Sequence, residues 1–169
     1  MIRQMQPEDL EQVIALIAVL HIETSYRQIA MGWPDVIGFL TAAQMRRTAL
    51  VLVAEHKGKI TGVLLAKVEP FWFADQASGA RVASDLMFYS QRAGDGLAML
   101  KRFVEWAFSV PRVVRVEMAV STGQASLERM AKLYLRAGLR QEGSLFVVNH
   151  PQYQQVLDET VGPNMGEAA

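Results

Sequence analysis

The chain has 169 residues, enough for one domain at roughly 100–200 residues each, and its lack of cysteine excludes a disulfide scaffold and thiolate metal sites. Lys and Arg number 17 and Asp and Glu number 17, so the large basic excess of a general nucleic-acid binder is missing. Hydrophobic residues make up 51% and charged residues 20%, a globular balance that excludes disorder of the whole chain.

The opening segment, MIRQMQPEDLEQ, turns acidic where a signal peptide needs an apolar core. No apolar run approaches the roughly 20 residues of a membrane helix. Together with the absent cysteines this points to a cytoplasmic protein. Ile2 to Met5 is β-compatible. Pro7 then opens a helix, since proline suits a first helical position, and Leu10, Val13, Ile14 and Ile17 form one apolar stripe at helical spacing. A weaker helical stretch covers Pro34 to Arg47, interrupted by Gly38.

Ala49 to Glu55 and Ile60 to Val68 read as two strands joined by His56-Lys57-Gly58-Lys59, a β-hairpin. Pro70 and the cluster Phe71, Trp72, Phe73 follow as a loop or strand end, read as core or rim packing with substrate contact as the alternative. Ala80 to Ser90 is the next strand. If regular, it puts Val82, Ser84, Leu86 and Phe88 on one face and Arg81, Ala83, Asp85, Met87 and Tyr89 on the other. A loop from Gln91 to Gly96 leads into a helix carrying Leu97, Leu100, Val104 and Ala107, which Pro111 ends. Val113 to Val120 is a further strand and Ser121 to Gln124 a loop. Leu127, Met130, Ala131 and Tyr134 begin a last helix with Gly138 at its C-terminal end. Leu139 to Asn149 reads as two short strands around Glu142-Gly143-Ser144, and Gly162 to Ala169 as a loose tail. This mixed order means α/β or α+β, with the sheet part antiparallel and part parallel. His21, His56 and His150 lie far apart with no metal-ligand spacing, so no metal site is expected.

The segment richest in chemistry is the strand–loop–helix around Gln91 to Gly96. A helix start presents backbone N–H groups without internal partners, and its dipole favours anions. Glycines let that backbone approach a phosphate. The alternative is an ordinary strand-to-helix turn. The spacing is neither the dinucleotide fingerprint nor a Walker loop. Asp95 opposes an anion there unless its side chain points to solvent, and Arg92 offsets it in part.

Gln91-x-x-Gly94-x-Gly96 resembles the Gln/Arg-x-x-Gly-x-Gly/Ala motif of the GNAT superfamily of N-acetyltransferases, which grips the pyrophosphate of acetyl-CoA. Leu133-Tyr134-Leu135-Arg136-Ala137-Gly138-Leu139 resembles that family's Leu-Tyr-x-x-x-Gly-Phe/Leu segment. The order of elements resembles the GNAT fold from Ile2 to Asn149. The resemblance implies one GNAT-like domain over 1–150 with a C-terminal extension over 151–169. Its central sheet is mixed, mostly antiparallel, with two splayed parallel strands, and helices flank it. It implies acetyl-CoA as acyl donor and a primary amine, on a small molecule or a protein, as acceptor. The backbone of Leu86, Met87 and Phe88 is then expected beside the pantetheine arm. Gln91, Arg92, Ala93, Gly94, Asp95 and Gly96 are expected at the pyrophosphate, and Tyr134 is expected to protonate the departing thiolate.

Two departures from the family pattern stand out. Many members carry asparagine seven residues before that tyrosine, where this chain has Leu127, and the loop before the helix is longer. For the base that takes the amine's proton, Asp85 is the acid in the central strand. A β-bulge is needed to re-aim it, and Glu117 and Glu69 are further candidates. The alternative for Asp85 is a buried acid pairing with a helix or a backbone amide. The stretches Ala80 to Tyr89 and Glu117 to Gly123 resemble GNAT proteins encoded by phages and prophages. That supplies a rival reading, a virion-associated structural module binding phage structural proteins with weak or absent transfer. A homodimer is a further expectation.

Overall fold

The computed structural model describes residues 1–24, 26–75, 77–120 and 124–143, the side chains of 124–127 excepted. The loop expected at Ser121 to Gln124 therefore falls largely outside the described residues, as do the side chain of Leu127, the strand pair from Ser144 onward and the tail. Leu139 to Gly143 are described and form no strand.

Strand β1 (Ile2–Gln4) leads through a single 3-10 turn at Pro7–Asp9 into helix α1 (Leu10–Glu23). Val13 and Ile17 are fully buried, and Leu10 and Ile14 pack against the same core, so the helical stripe is placed as its spacing predicts. Helix α2 (Trp33–Ala43) ends short of the expected Arg47. Strands β2 (Ala49–His56) and β3 (Lys59–Pro70) form the hairpin, with Lys57 and Gly58 at φ 51° and 77°, the left-handed pair that matches a two-residue loop to strand twist. Strand β4 (Arg81–Ser90), helix α3 (Asp95–Ser109), strand β5 (Val113–Glu117) and helix α4 (Gln124–Arg136) complete the described elements.

The sheet runs β1-β2-β3-β4-β5. The first three pairings are antiparallel and β4–β5 is parallel, the mixed architecture expected from the order of elements. The crossover from β4 to β5, residues 91–112, passes through the 15-residue α3, as a parallel connection requires. One face carries α1 and α2 over Val51, Val53, Val63 and Leu65. The other carries α3 and α4 over Leu50, Leu52, Leu64 and Ala66. Alternation along β2 and β3 feeds both layers, which is why these strands read as continuous apolar runs. Met99, Leu100, Phe103 and Ala107 of α3 are completely buried, and each large side chain so placed stabilises the fold by about 1.5–3 kcal/mol.

Trp72 and Phe73 are 92% and 68% exposed and stack edge-on against each other. The cluster expected as core or rim packing is instead a surface loop.

Candidate active site

The site begins with an irregularity in β4. Leu65 pairs with Met87 and Ala66 with Asp85, so Leu86 has no counterpart on β3. That extra residue is a β-bulge, which re-phases every side chain after it. Antiparallel partners share a face. Ala83 and Asp85 therefore lie on the α3–α4 side with Val68 and Ala66. Phe88, opposite Leu64, returns to that side, while Met87 and Tyr89 face α1 and α2. The regular alternation expected for this strand is corrected accordingly. Asp85 and Phe88 share a face that a bulge-free strand denies them.

The second irregularity lies in β5. Its pairing with β4 ends at Ser84–Glu117, and the strand itself stops at Glu117 rather than at the expected Val120. Beyond Ser84 the outer edge of β4 has no strand partner among the described residues. A cavity of about 330 Å³ opens at this split. Asp85, Leu86, Met87 and Phe88 line it together with Ala119 and Tyr134. Two residues 49 positions apart, Asp85 and Tyr134, thus meet in one cavity.

Ala119 joins them through its backbone. Its N–H donates to the Asp85 carboxylate, and its carbonyl oxygen accepts a long 3.4 Å contact from the Tyr134 hydroxyl. Burial pushes the Asp85 carboxyl up to about 6, with the amides of Ala119 and of Asp85 itself offsetting part of the rise. Burial, followed by the charge of Asp85, raises the Tyr134 phenol above the ordinary tyrosine value. The pair therefore holds a carboxylate able to accept a proton near neutrality and a phenol that keeps its own. Sequence reading missed Ala119, because a backbone contact at a strand end leaves no residue-type signal.

The loop after β4 lies just past Phe88. The Gln91 amide donates to the Thr61 carbonyl at 2.9 Å. The N–H groups of Arg92, Ala93, Gly94, Asp95 and Gly96 meet no acceptor among the described residues. Gly94 sits at φ 91° with open space where a side chain would begin. Gly96 does a different job. A Cβ there would stand 3.3 Å from Leu133 and 3.4 Å from Phe88, so this glycine seats α3 against α4 and β4. Asp95 is half-buried, and its carboxylate accepts a 3.4 Å contact from the Thr61 hydroxyl on β3. It is turned toward the sheet rather than freely into solvent.

The remaining wall comes from the end of α1 and the segment that follows, with Leu20, His21, Thr24, Tyr26, Ile29 and Met31. His21 Nε2 donates to the Ile29 carbonyl at 2.9 Å and ties that segment to the helix. Apart from His21, weighed there only as a metal ligand, none of these residues is singled out by the sequence. Glu117 and Glu69 do not line the cavity, nor do Phe71, Trp72 and Phe73.

No family model and no curated protein matches the chain. Solved structures do. A transcriptional regulator from Bacillus halodurans C-125 is 15% identical with a TM-score of 0.65, covering 89% of this chain and 99% of its own. The aminoglycoside 6'-N-acetyltransferase AAC(6')-IG from Acinetobacter haemolyticus is 13% identical with a TM-score of 0.62, covering 89% and 97%. AAC(6')-Iy, solved with the bisubstrate analog CoA-S-monomethyl-acetylneamine, is 13% identical with a TM-score of 0.64, covering 89% and 97%. Identities this low speak for the fold alone, and they do not bear on the phage-type resemblance. The five-stranded mixed sheet, its parallel strands parted beyond Ser84 and its flanking helices, is the GNAT fold.

Proposed function

We propose that the chain transfers an acetyl group from acetyl-CoA to a primary amine. The observation that carries this reading is the meeting of Asp85 and Tyr134 around Ala119 in the cavity at the β4–β5 split. The surroundings fit the donor. The N–H groups of Arg92 to Gly96 are free to receive a pyrophosphate at the start of a 15-residue helix, and the unpaired edge of β4 at Leu86, Met87 and Phe88 leaves backbone groups for an extended amide-bearing arm. When bound, acetyl-CoA supplies a thioester whose C–S bond breaks as the amine nitrogen forms the new C–N bond.

Asp85 acts as the base. A carboxyl raised to about 6 is still ionised at pH 7, and it holds a proton about a hundredfold better than an ordinary aspartate near 3.9. Tyr134 holds the proton that the sulfur needs. Its raised value keeps it protonated until then. Part of that rise comes from the negative charge of Asp85, so protonating Asp85 makes Tyr134 a better acid. The order of the two transfers is thereby built into the pair. Of the two protons the substrate nitrogen gives up, one replaces the proton that Tyr134 passes to sulfur and the other leaves to solvent.

Calorimetry with acetyl-CoA tests the donor, and release of free thiol in the presence of amines tests the transfer. Binding is expected, and Gly94→Asp is expected to abolish it, since φ 91° strains a side-chain-bearing residue and the carboxylate would face the free amides. Absence of binding by the unmodified chain at millimolar acetyl-CoA would overturn the proposal.

A further inference from the structure

We infer that the acceptor is a small amine with one positive charge and an apolar body, rather than a polyamine, an aminoglycoside or an amino acid. The inference rests on the transfer reaction proposed above and names its substrate class.

Beyond the reacting end, the cavity is bounded by Leu20, Tyr26, Ile29, Met31, Leu86 and Met130. Among the described lining residues Asp85 is the one carboxylate, and neither lysine nor arginine lines the cavity. One carboxylate neutralises one ammonium. A second ammonium in this cavity would lose water and gain no carboxylate among the described lining residues, which is strongly unfavourable for an ion. An acceptor carboxylate would meet the same difficulty, since no lysine or arginine faces it among the described lining residues. His21 spends its Nε2 on the Ile29 carbonyl, and an imidazole offers no negative charge to a second ammonium.

A second observation points the same way. Tyr26, Ile29 and Leu86 are 50%, 52% and 42% exposed, yet all three line the one cavity. Large apolar side chains scattered singly on a surface need no explanation, but three converging on a concave site mark what that site covers. An alkyl or aryl body on the amine would remove them from water. Asp85 would orient the nitrogen by charge, and the apolar wall would select the body.

The test is calorimetry of 2-phenylethylamine, spermidine and kanamycin against the full chain alone, followed by thiol release from acetyl-CoA with each. The expected result is 2-phenylethylamine binding tighter than spermidine or kanamycin by about tenfold or more, because the second charge has no partner. Ile29→Asp and Tyr26→Asp each place a second carboxylate at the wall. Both positions are half-exposed, so folding should survive. Each variant is expected to narrow or reverse that preference, with spermidine gaining about tenfold relative to 2-phenylethylamine. Tighter binding of spermidine or kanamycin by the unmodified chain would overturn the inference. So would no binding of 2-phenylethylamine at millimolar concentration, or a preference unmoved in both variants. Amine binding is read without the donor. A chain that prefers 2-phenylethylamine but neither binds acetyl-CoA nor releases thiol would instead refute the transfer reaction.

Discussion

Two aspartates, Asp9 buried and Asp85 half-buried, illustrate how a partner decides what withdrawal from water does. Asp9 closes the turn between β1 and α1 and is only 6% exposed. The Arg3 guanidinium grips both of its oxygens, one at 2.8 Å, and the Gln6 amide donates at 2.7 Å. Its carboxyl falls below the usual range, chiefly through Arg3. Asp85 is also partly withdrawn from water, but among the described residues its partners are backbone amides and no cation, and its carboxyl rises to about 6. The first is a fastener that a fold can use at any neutral pH. The second is an expense to the fold at neutral pH. Such groups gather where chemistry needs them.

The largest effects should come from breaking the second arrangement. Asp85→Asn and Tyr134→Phe should each slow thiol release by about 10²–10⁴-fold, the usual loss of an acid–base group, with acetyl-CoA affinity nearly unchanged. The pH profile of kcat/KM should rise through a limb near 6 as Asp85 ionises. That limb should vanish in Asp85→Asn. Rates unchanged in Tyr134→Phe would return that residue to packing against α3.

The same substitution should have the opposite sign in stability. A carboxyl raised from 3.8 to about 6 binds its proton more tightly in the folded chain than in the unfolded one. The folded state is therefore favoured below about pH 4, and that advantage is lost as pH rises through 6. Asp85→Asn removes the titration and keeps an acceptor for the Ala119 amide. At pH 8 the variant should be more stable by up to about 3 kcal/mol, fading toward pH 4. Equal destabilisation at both pH values would make Asp85 a structural acid. Asp9→Asn supplies the contrast. Its carboxyl is depressed, so its contribution is present above the ordinary carboxylate range and lost as pH falls through the folded value. Chemical denaturation near neutral pH should show a loss of about 1–3 kcal/mol, since Arg3 keeps Glu55 and a quarter of its own exposure. A loss that persists undiminished at pH 2 would mean that packing, not charge, holds the turn.

The contrast also explains what could be read from residue order. The stripe of α1, the hairpin at Lys57-Gly58 and the helix end at Gly138 are local patterns, and local geometry suffices to place them. Asp85 and Tyr134 were legible as candidates because of their positions around two short motifs. Their meeting was not, since it depends on Leu86 bulging and on β5 stopping at Glu117. Period-2 reasoning assumes a regular strand, and a single inserted residue reverses the faces beyond it. The two loop glycines show the same limit. Both read as freedom for a phosphate loop, yet only Gly94 takes a positive φ, while Gly96 is a close approach between helices. Asp9 was passed over for another reason. Its partner Arg3 lies on a different element, and nothing local marks the pair.

The smallest expected effect concerns a third aspartate, Asp95, which stands between those two cases. It opens α3 beside the free amides, half-buried and in long contact with the Thr61 hydroxyl. A carboxylate in a first helical turn favours the helix by about 0.3–1 kcal/mol and opposes an incoming anion to a similar degree. Asp95→Asn keeps an oxygen for Thr61 and removes the charge. Acetyl-CoA should then bind a few-fold more tightly at low ionic strength, while the melting temperature falls slightly. Added salt should shrink the gain, since charges at such a half-exposed end are screened over about 10 Å at 0.1 M. Weaker binding in Asp95→Asn would mean that the Thr61 contact shapes the loop for the pyrophosphate. An affinity indifferent to both the substitution and salt would place the pyrophosphate away from Arg92 to Gly96, leaving Asp85 and Tyr134 as the only anchors of the proposed reaction.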